Sequence, residues 1–167
     1  MHFANINDVN LHYQVIGAPE GKPTIVFANS LGTDFRIWRD VIVRLVGDYS
    51  IVTYDKRGHG LSDLGESQTM TDHVEDLAGL MDHLGIQSAI ICGVSVGGLI
   101  AQGLYATRPD LVGALILCNT GMKIGTDELW NMRIEMVETK GISEIADGVL
   151  ARWFTKGYRE DNPADVA

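Results

Sequence analysis

Four short apolar stretches constrain this chain more than anything else in it: Thr24–Ala28, Ile51–Tyr54, Ala89–Cys92 and Ala114–Cys118. A strand with one wet face alternates apolar and polar residues. Near-continuous apolar runs fit strands buried on both faces of a parallel sheet. Helical patterns separate the runs. One spans about Asp34 to Val46. The next, about Thr71 to Leu84, puts Val74, Leu77, Ala78, Met81 and Leu84 on one face, with Gly85 as a stop. A third opens at Ser95 and runs to about Arg108, before Pro109. Two further strand-like runs, Phe3–Ile6 and Asn10–Ile16, come first, and the second alternates at period two as in an antiparallel pair. Strands alternating with helices predict an α/β fold: a mostly parallel sheet covered by helices on both faces.

That order breaks after Cys118. Thr126–Lys140 reads as a helix, with Asp127 and Glu128 in its first turn, Lys140 in its last and Gly141 after it. Ser143–Phe154 reads as a second, with no strand signal between them, and Thr155–Ala167 is polar with Pro163 inside it. Consecutive helices after a β/α series are what a lid looks like. We therefore expect a core at residues 1–121, holding six strands, and the beginning of a helical lid at 122–167.

The formal net charge is −9 and no cluster of Lys or Arg occurs, which argues against nucleic acid or an anionic membrane as partner. Cys92 and Cys118 each lie in an apolar run, so two buried thiols are expected rather than a disulfide or a catalytic cysteine. The opening MHFANINDVNLHYQVIGAPE lacks a basic segment followed by a long apolar one, and the expected location is cytoplasmic. The uncharged stretch from Gly85 to Thr107 is rich in glycine and carries Gln87, Ser88, Ser95 and Gln102. It reads as strand, turn and helix rather than as a membrane span.

Gly93-Val94-Ser95-Val96-Gly97 sits at that turn. G-x-S-x-G alone is a weak signal, but here it follows a buried strand and opens a helix, the setting a nucleophile elbow requires. So tight a turn strains Ser95 and needs small neighbours, hence Gly93 and Gly97. A phosphate-binding glycine turn is the alternative. The dinucleotide pattern G-x-G-x-x-G fails at Ser95, and no G-K-[ST] occurs. The loop Asn29-Ser30-Leu31-Gly32-Thr33 follows the third strand, where such enzymes carry one oxyanion donor; the other is the amide after the nucleophile. This assigns the N–H groups of Leu31 and Val96. Asp55-Lys56-Arg57-Gly58-His59-Gly60-Leu61-Ser62 reads as a structural turn with Asp55 and Arg57 paired or hydrogen-bonded. His59 precedes Ser95 and so stands in the wrong chain order to be its base.

Together these pieces resemble the α/β-hydrolase superfamily. The segments NSLGT (29–33), YDKRGHGLS (54–62), CGVSVGG (92–98), NTGMKIGT (119–126) and RWFT (152–155) resemble, more narrowly, the 3-oxoadipate enol-lactonases of aromatic catabolism. Val96 departs from that pattern, where Met is more usual, but its amide is unaffected. The resemblance implies a serine hydrolase that opens a small carboxylated enol-lactone without metal or cofactor. It leaves open a generic carboxylesterase, a cofactor-free haloperoxidase-like hydrolase and a non-catalytic binding protein on the same scaffold. On the first lid helix Trp130, Arg133, Ile134 and Val137 share a face at 100° per residue. Arg133 and Trp130 are thus candidates to line the pocket and meet the substrate carboxylate, against the plainer reading of a snorkelling arginine.

Nucleophile, acid and histidine follow in that order in this fold. All five histidines (His2, His12, His59, His73 and His83) precede Ser95, and Asn119 ends the last visible strand. The expectation is therefore an N-terminal part of an enzyme, with the C-terminal strands absent and negligible activity on its own.

Overall fold

The computed structural model describes residues 2–166. Six strands form one sheet: β1 (His2–Ile6), β2 (Val9–Ile16), β3 (Thr24–Ala28), β4 (Ser50–Tyr54), β5 (Ala89–Val94) and β6 (Val112–Cys118), in the spatial order β1-β2-β4-β3-β5-β6. β1 and β2 pair antiparallel, as do β2 and β4; β4, β3, β5 and β6 run parallel. The sheet is thus mostly parallel, and each run that lacks alternation became a strand of its parallel part.

The lack of alternation has the expected cause. Ile25, Phe27, Ile51 and Cys92 pack on one face with Trp38 and Ile42, while Val26, Val52, Tyr54 and Ile91 pack on the other with Leu77, Leu80, Met81, Ile100 and Leu104. Helix α1 (Arg39–Leu45) covers the first face; α2 (Met70–His83) and α3 (Val96–Thr107) cover the second. The stretch before α1 differs from the single helix expected. Asp34 accepts from the Arg36 N–H and starts a 3-10 turn at Phe35–Trp38, and the α-helix follows from it. α2 begins with a capping box, Thr69 and Asp72 bonding each other's backbone N–H.

The chain divides into two compact units between Ile124 and Gly125, three residues beyond the boundary expected from sequence. The second unit holds α4 (Asp127–Lys140), α5 (Ser143–Trp153), α6 (Lys156–Asp161) and α7 (Pro163–Val166). The polar segment after Thr155 is therefore largely helical; Thr155 caps α6 by accepting from the Tyr158 N–H. α4 and α5 pack against each other, yet neither buries a side chain fully. No helix among the described residues is long and apolar enough to cross a membrane.

Candidate active site

The site is built where β3 and β5 end side by side. Ala28 is paired with Gly93, so the loops that follow them leave the sheet from adjacent positions on one edge. Ser95 has φ +55° and ψ −120°, a left-handed conformation that a side chain adopts only under constraint. Hydrogen bonds on both of its backbone groups hold it there. The Ser95 N–H donates to the Cys118 carbonyl at 3.0 Å, and the Gly98 N–H donates back to the Ser95 carbonyl at 2.9 Å. The Thr120 hydroxyl donates to the same carbonyl at 2.7 Å.

Glycines are needed around it for contact, not freedom. A Cβ on Gly93 would strike the Gly97 carbonyl, and one on Gly97 would strike the Ala28 carbonyl. The first turn of α3 therefore lies directly on the end of β3, next to the loop at 29–33. Ser95 uses its side chain neither to cap α3 nor in any other hydrogen bond among the described residues. Val96 opens α3, so its N–H has no acceptor within the helix.

The loop at 29–33 is a turn closed by the Thr33 N–H on the Ser30 carbonyl at 3.4 Å, with Gly32 at φ +72°. The buried Asn29 braces it, its side-chain amide donating to the Thr33 carbonyl. The Leu31 N–H makes no hydrogen bond among the described residues. Two unbonded amides, Leu31 and Val96, thus occupy the two loops that meet at Ser95.

Asp55 and Arg57 do not pair with each other. The Asp55 carboxylate is buried and lies 2.9 Å from His12 Nδ1, while accepting the N–H groups of Phe35 and Leu61 at 3.0 Å each. A Cβ on Gly60 would fall on that carboxylate. Arg57 grips Asp76 of α2 with two bonds, of 2.6 and 2.7 Å, and ties the loop to the helix beneath it. Between them, Lys56 and His59 turn to the loop at 29–33, a role the sequence analysis missed. Lys56 Nζ donates to the Ser30 carbonyl at 2.6 Å, and His59 Nε2 accepts the Gly32 N–H at 3.0 Å. The available signal was strand order: in a doubly wound sheet β4 lies beside β3, so their following loops are neighbours. Burial pushes the Lys56 ammonium down to about 7, against the pull of Asp55 and Asp34. Burial, together with the charge of Lys56, lowers His59.

The thiols are not reactive candidates. Cys92 is buried and its pKa is pushed up to about 12 by burial and by Cys118; Cys118 is half-buried rather than buried, and both are free. No group of three metal-ligating side chains occurs among the described residues. In the second unit the Arg133 guanidinium stacks over the Trp130 ring at 5.0 Å. Both side chains are half-buried, whereas Ile134 on the same face is exposed. Desolvation and the charge of Arg152 lower the Arg133 pKa.

A strained serine on a strand–turn–helix elbow, at the edge of a mostly parallel sheet, defines a class. The chain belongs to the alpha/beta hydrolase fold family, whose model matches residues 23–139. Among relatives, it is 40% identical over 151 residues to 3-oxoadipate enol-lactonase 1 of Acinetobacter baylyi, covering 89% of this chain and 57% of that protein. It is 38% identical over 160 residues to 3-oxoadipate enol-lactonase 2 of the same organism, covering 95% and 60%. The crystal structure of the enol-lactonase from Burkholderia xenovorans superimposes with a TM-score of 0.94 at 39% identity, over 99% of this chain and 64% of that one. The chain thus spans about three-fifths of the length of these relatives.

Proposed function

We propose that this chain carries the nucleophile and oxyanion site of a serine hydrolase acting on a small carboxylated enol-lactone, 3-oxoadipate enol-lactone in the first instance. The observation that carries the reading is Ser95 itself: strained, unbonded at Oγ, and flanked by the free amides of Leu31 and Val96. Similarity to enol-lactonases supports the substrate class.

Ser95 Oγ attacks the lactone carbonyl carbon and gives its proton to a base. The carbonyl oxygen becomes an anion and is held by the Leu31 and Val96 N–H groups. One such donor is worth about 3–4 kcal/mol in the transition state. The ring C–O bond then breaks, its oxygen leaves as an enol, and the enol becomes the ketone. Water cleaves the Ser95 ester and 3-oxoadipate departs. Arg133, whose guanidinium carbon lies 5.0 Å over the Trp130 ring, is the proposed partner of the substrate's free carboxylate, since a guanidinium meets a carboxylate through paired N–H groups.

Every histidine of the chain precedes Ser95, and none bonds its hydroxyl. The test therefore supplies the base. The 167-residue chain alone should open the lactone at a negligible rate; imidazole in the buffer should raise the rate, and Ser95→Ala should abolish the rise. Residual catalysis from an oxyanion site and binding alone is on the order of 1,000-fold over water, which leaves room to measure it. Arg133→Ala should raise the half-saturating lactone concentration and leave simple aryl esters unaffected. A Ser95→Ala variant as fast as the parent would defeat the reading. An Arg133→Ala variant whose half-saturation for the lactone stays at the parent's value, or shifts by the same factor for lactone and aryl ester, would defeat its substrate half.

A further inference from the structure

Leu31 carries its oxyanion role on a backbone N–H, and a backbone N–H points only where its peptide plane is held. In a trans peptide the C=O and N–H point in opposite directions. The Leu31 N–H shares its plane with the Ser30 C=O, and the Gly32 N–H shares the next plane with the Leu31 C=O. Each plane is gripped by one side chain from the loop after β4. Lys56 Nζ donates to the Ser30 oxygen at 2.6 Å, so the Leu31 N–H must face away from Lys56. The Gly32 N–H donates to His59 Nε2 at 3.0 Å, so the Leu31 carbonyl must face away from His59.

We propose that Lys56 and His59 are positioning residues of the oxyanion site, pinning the two peptide planes beside Leu31 so that its N–H, and not its carbonyl, is offered to the substrate oxygen. The inference rests on Ser95 being the nucleophile. Three features say that the pair is built for this. The Ser30 oxygen already has the Thr33 hydroxyl, at 2.9 Å, as a donor, so Lys56 is not needed to satisfy it. Lys56 is 1% exposed, and a buried ammonium is a costly way to make one more hydrogen bond. His59 is itself set: its Nδ1 lies 3.0 Å from the Arg57 carbonyl, an acceptor, so Nδ1 carries the proton and Nε2 is left bare for Gly32. Arg57 is in turn locked to Asp76.

A consequence is that the arrangement holds only while His59 is neutral. A proton on Nε2 would set a donor against the Gly32 N–H and release the plane. The charged and titratable groups acting on the ring are Lys56 and Asp55 from its own loop and His73 from α2, and Arg57 reaches it through its backbone carbonyl. Lys56 and burial oppose protonation; Asp55 and the Arg57 carbonyl favour it.

The test is made on the isotope-labelled 167-residue chain by NMR. The neutral His59 ring should show the proton on Nδ1. The Gly32 and Leu31 amide signals should move together with the His59 ring as pH falls, while those of Leu77 and Ile91 in the core stay fixed. His59→Leu should displace both loop amides at neutral pH. His59→Gln, whose side-chain oxygen can accept the same N–H, should restore them. In the imidazole-supported reaction His59→Leu should slow Ser95 acylation at saturating lactone by about 10-fold to 100-fold, with half-saturation changed less than about two-fold. His59→Gln should recover most of the loss. Loop amides indifferent to His59, or a leucine variant as fast as the parent, would overturn the proposal. The two readings fail separately. If Ser95→Ala reacts like the parent, the nucleophile reading falls and the loop amides still decide whether the planes are pinned. If Ser95 is acylated and the amides ignore His59, only the positioning proposal falls.

Discussion

At Ser95 stability and chemistry pull against each other. A Cβ in a left-handed backbone conformation costs on the order of 1–3 kcal/mol, and Ser95 returns nothing to the fold through its hydroxyl. Ser95→Gly should therefore stabilise the chain by about 1 kcal/mol, the strain relieved less the greater freedom of glycine when unfolded, whereas Ser95→Ala keeps the Cβ and should be neutral. Urea midpoints measure both; a destabilised glycine variant would mean that the elbow is not strained. The buried histidines set the acid limit. Burial pushes His73 down to about 4 and lowers His59, so the folded chain favours both rings neutral. Their contribution is complete above the ordinary value of 6.5 and is lost as pH falls toward about 4. Stability should decline as pH falls from about 6.5 to about 4, and less steeply in His73→Leu, as followed by urea unfolding at each pH. The elbow at Ser95 and the loop carrying Leu31 were legible in the sequence because both follow directly from local chain order, each coming straight after a buried strand. Lys56 and His59 were not, because each acts on a residue 26 or 27 positions away, and nothing within the loop at 55–62 says which neighbour it faces.

Elements hold the site through close backbone contact. Gly97 lets α3 lie on the end of β3, and a Cβ there would meet the Ala28 carbonyl, which cannot swing aside as a flexible side chain would. Gly97→Ala should cost more than about 3 kcal/mol, or be accommodated only by moving α3 away from the loop at 29–33. Thermal unfolding of the variant checks this, and a loss under about 1 kcal/mol would contradict the packing described. Strands and the larger helices were legible because burial on both sheet faces removes alternation and helix faces repeat at 3.6 residues. The helices of the second unit were legible only as helices. Trp130, Arg133, Ile134 and Val137 do share a face of α4, but α4 buries no side chain and Ile134 is 52% exposed. A periodic apolar stripe says where a helix is sticky and not what it meets.

On the scale of the whole molecule, the sheet of the described residues has two edge strands, β1 and β6, each paired on one side. β1 is five residues long, whereas β6 has seven and carries Ile116 and Leu117, each 44% exposed. An unpaired apolar strand edge is a template for association. The chain should self-associate in sedimentation experiments, and Leu117→Lys should return it toward its monomer mass of 18.2 kDa. A parent chain that stays monomeric at high concentration would contradict this. The formal charge of −9 opposes association only weakly, because salt screens it beyond about 10 Å.

The most direct test of the central claim, that Ser95 is the nucleophile, is to trap its ester. The chain is incubated with enol-lactone and imidazole, quenched in acid, digested and mapped by mass spectrometry. One added lactone mass on the peptide carrying Ser95, absent in Ser95→Ala, is the predicted result. An adduct on any other residue, or the same adduct in Ser95→Ala, would contradict it.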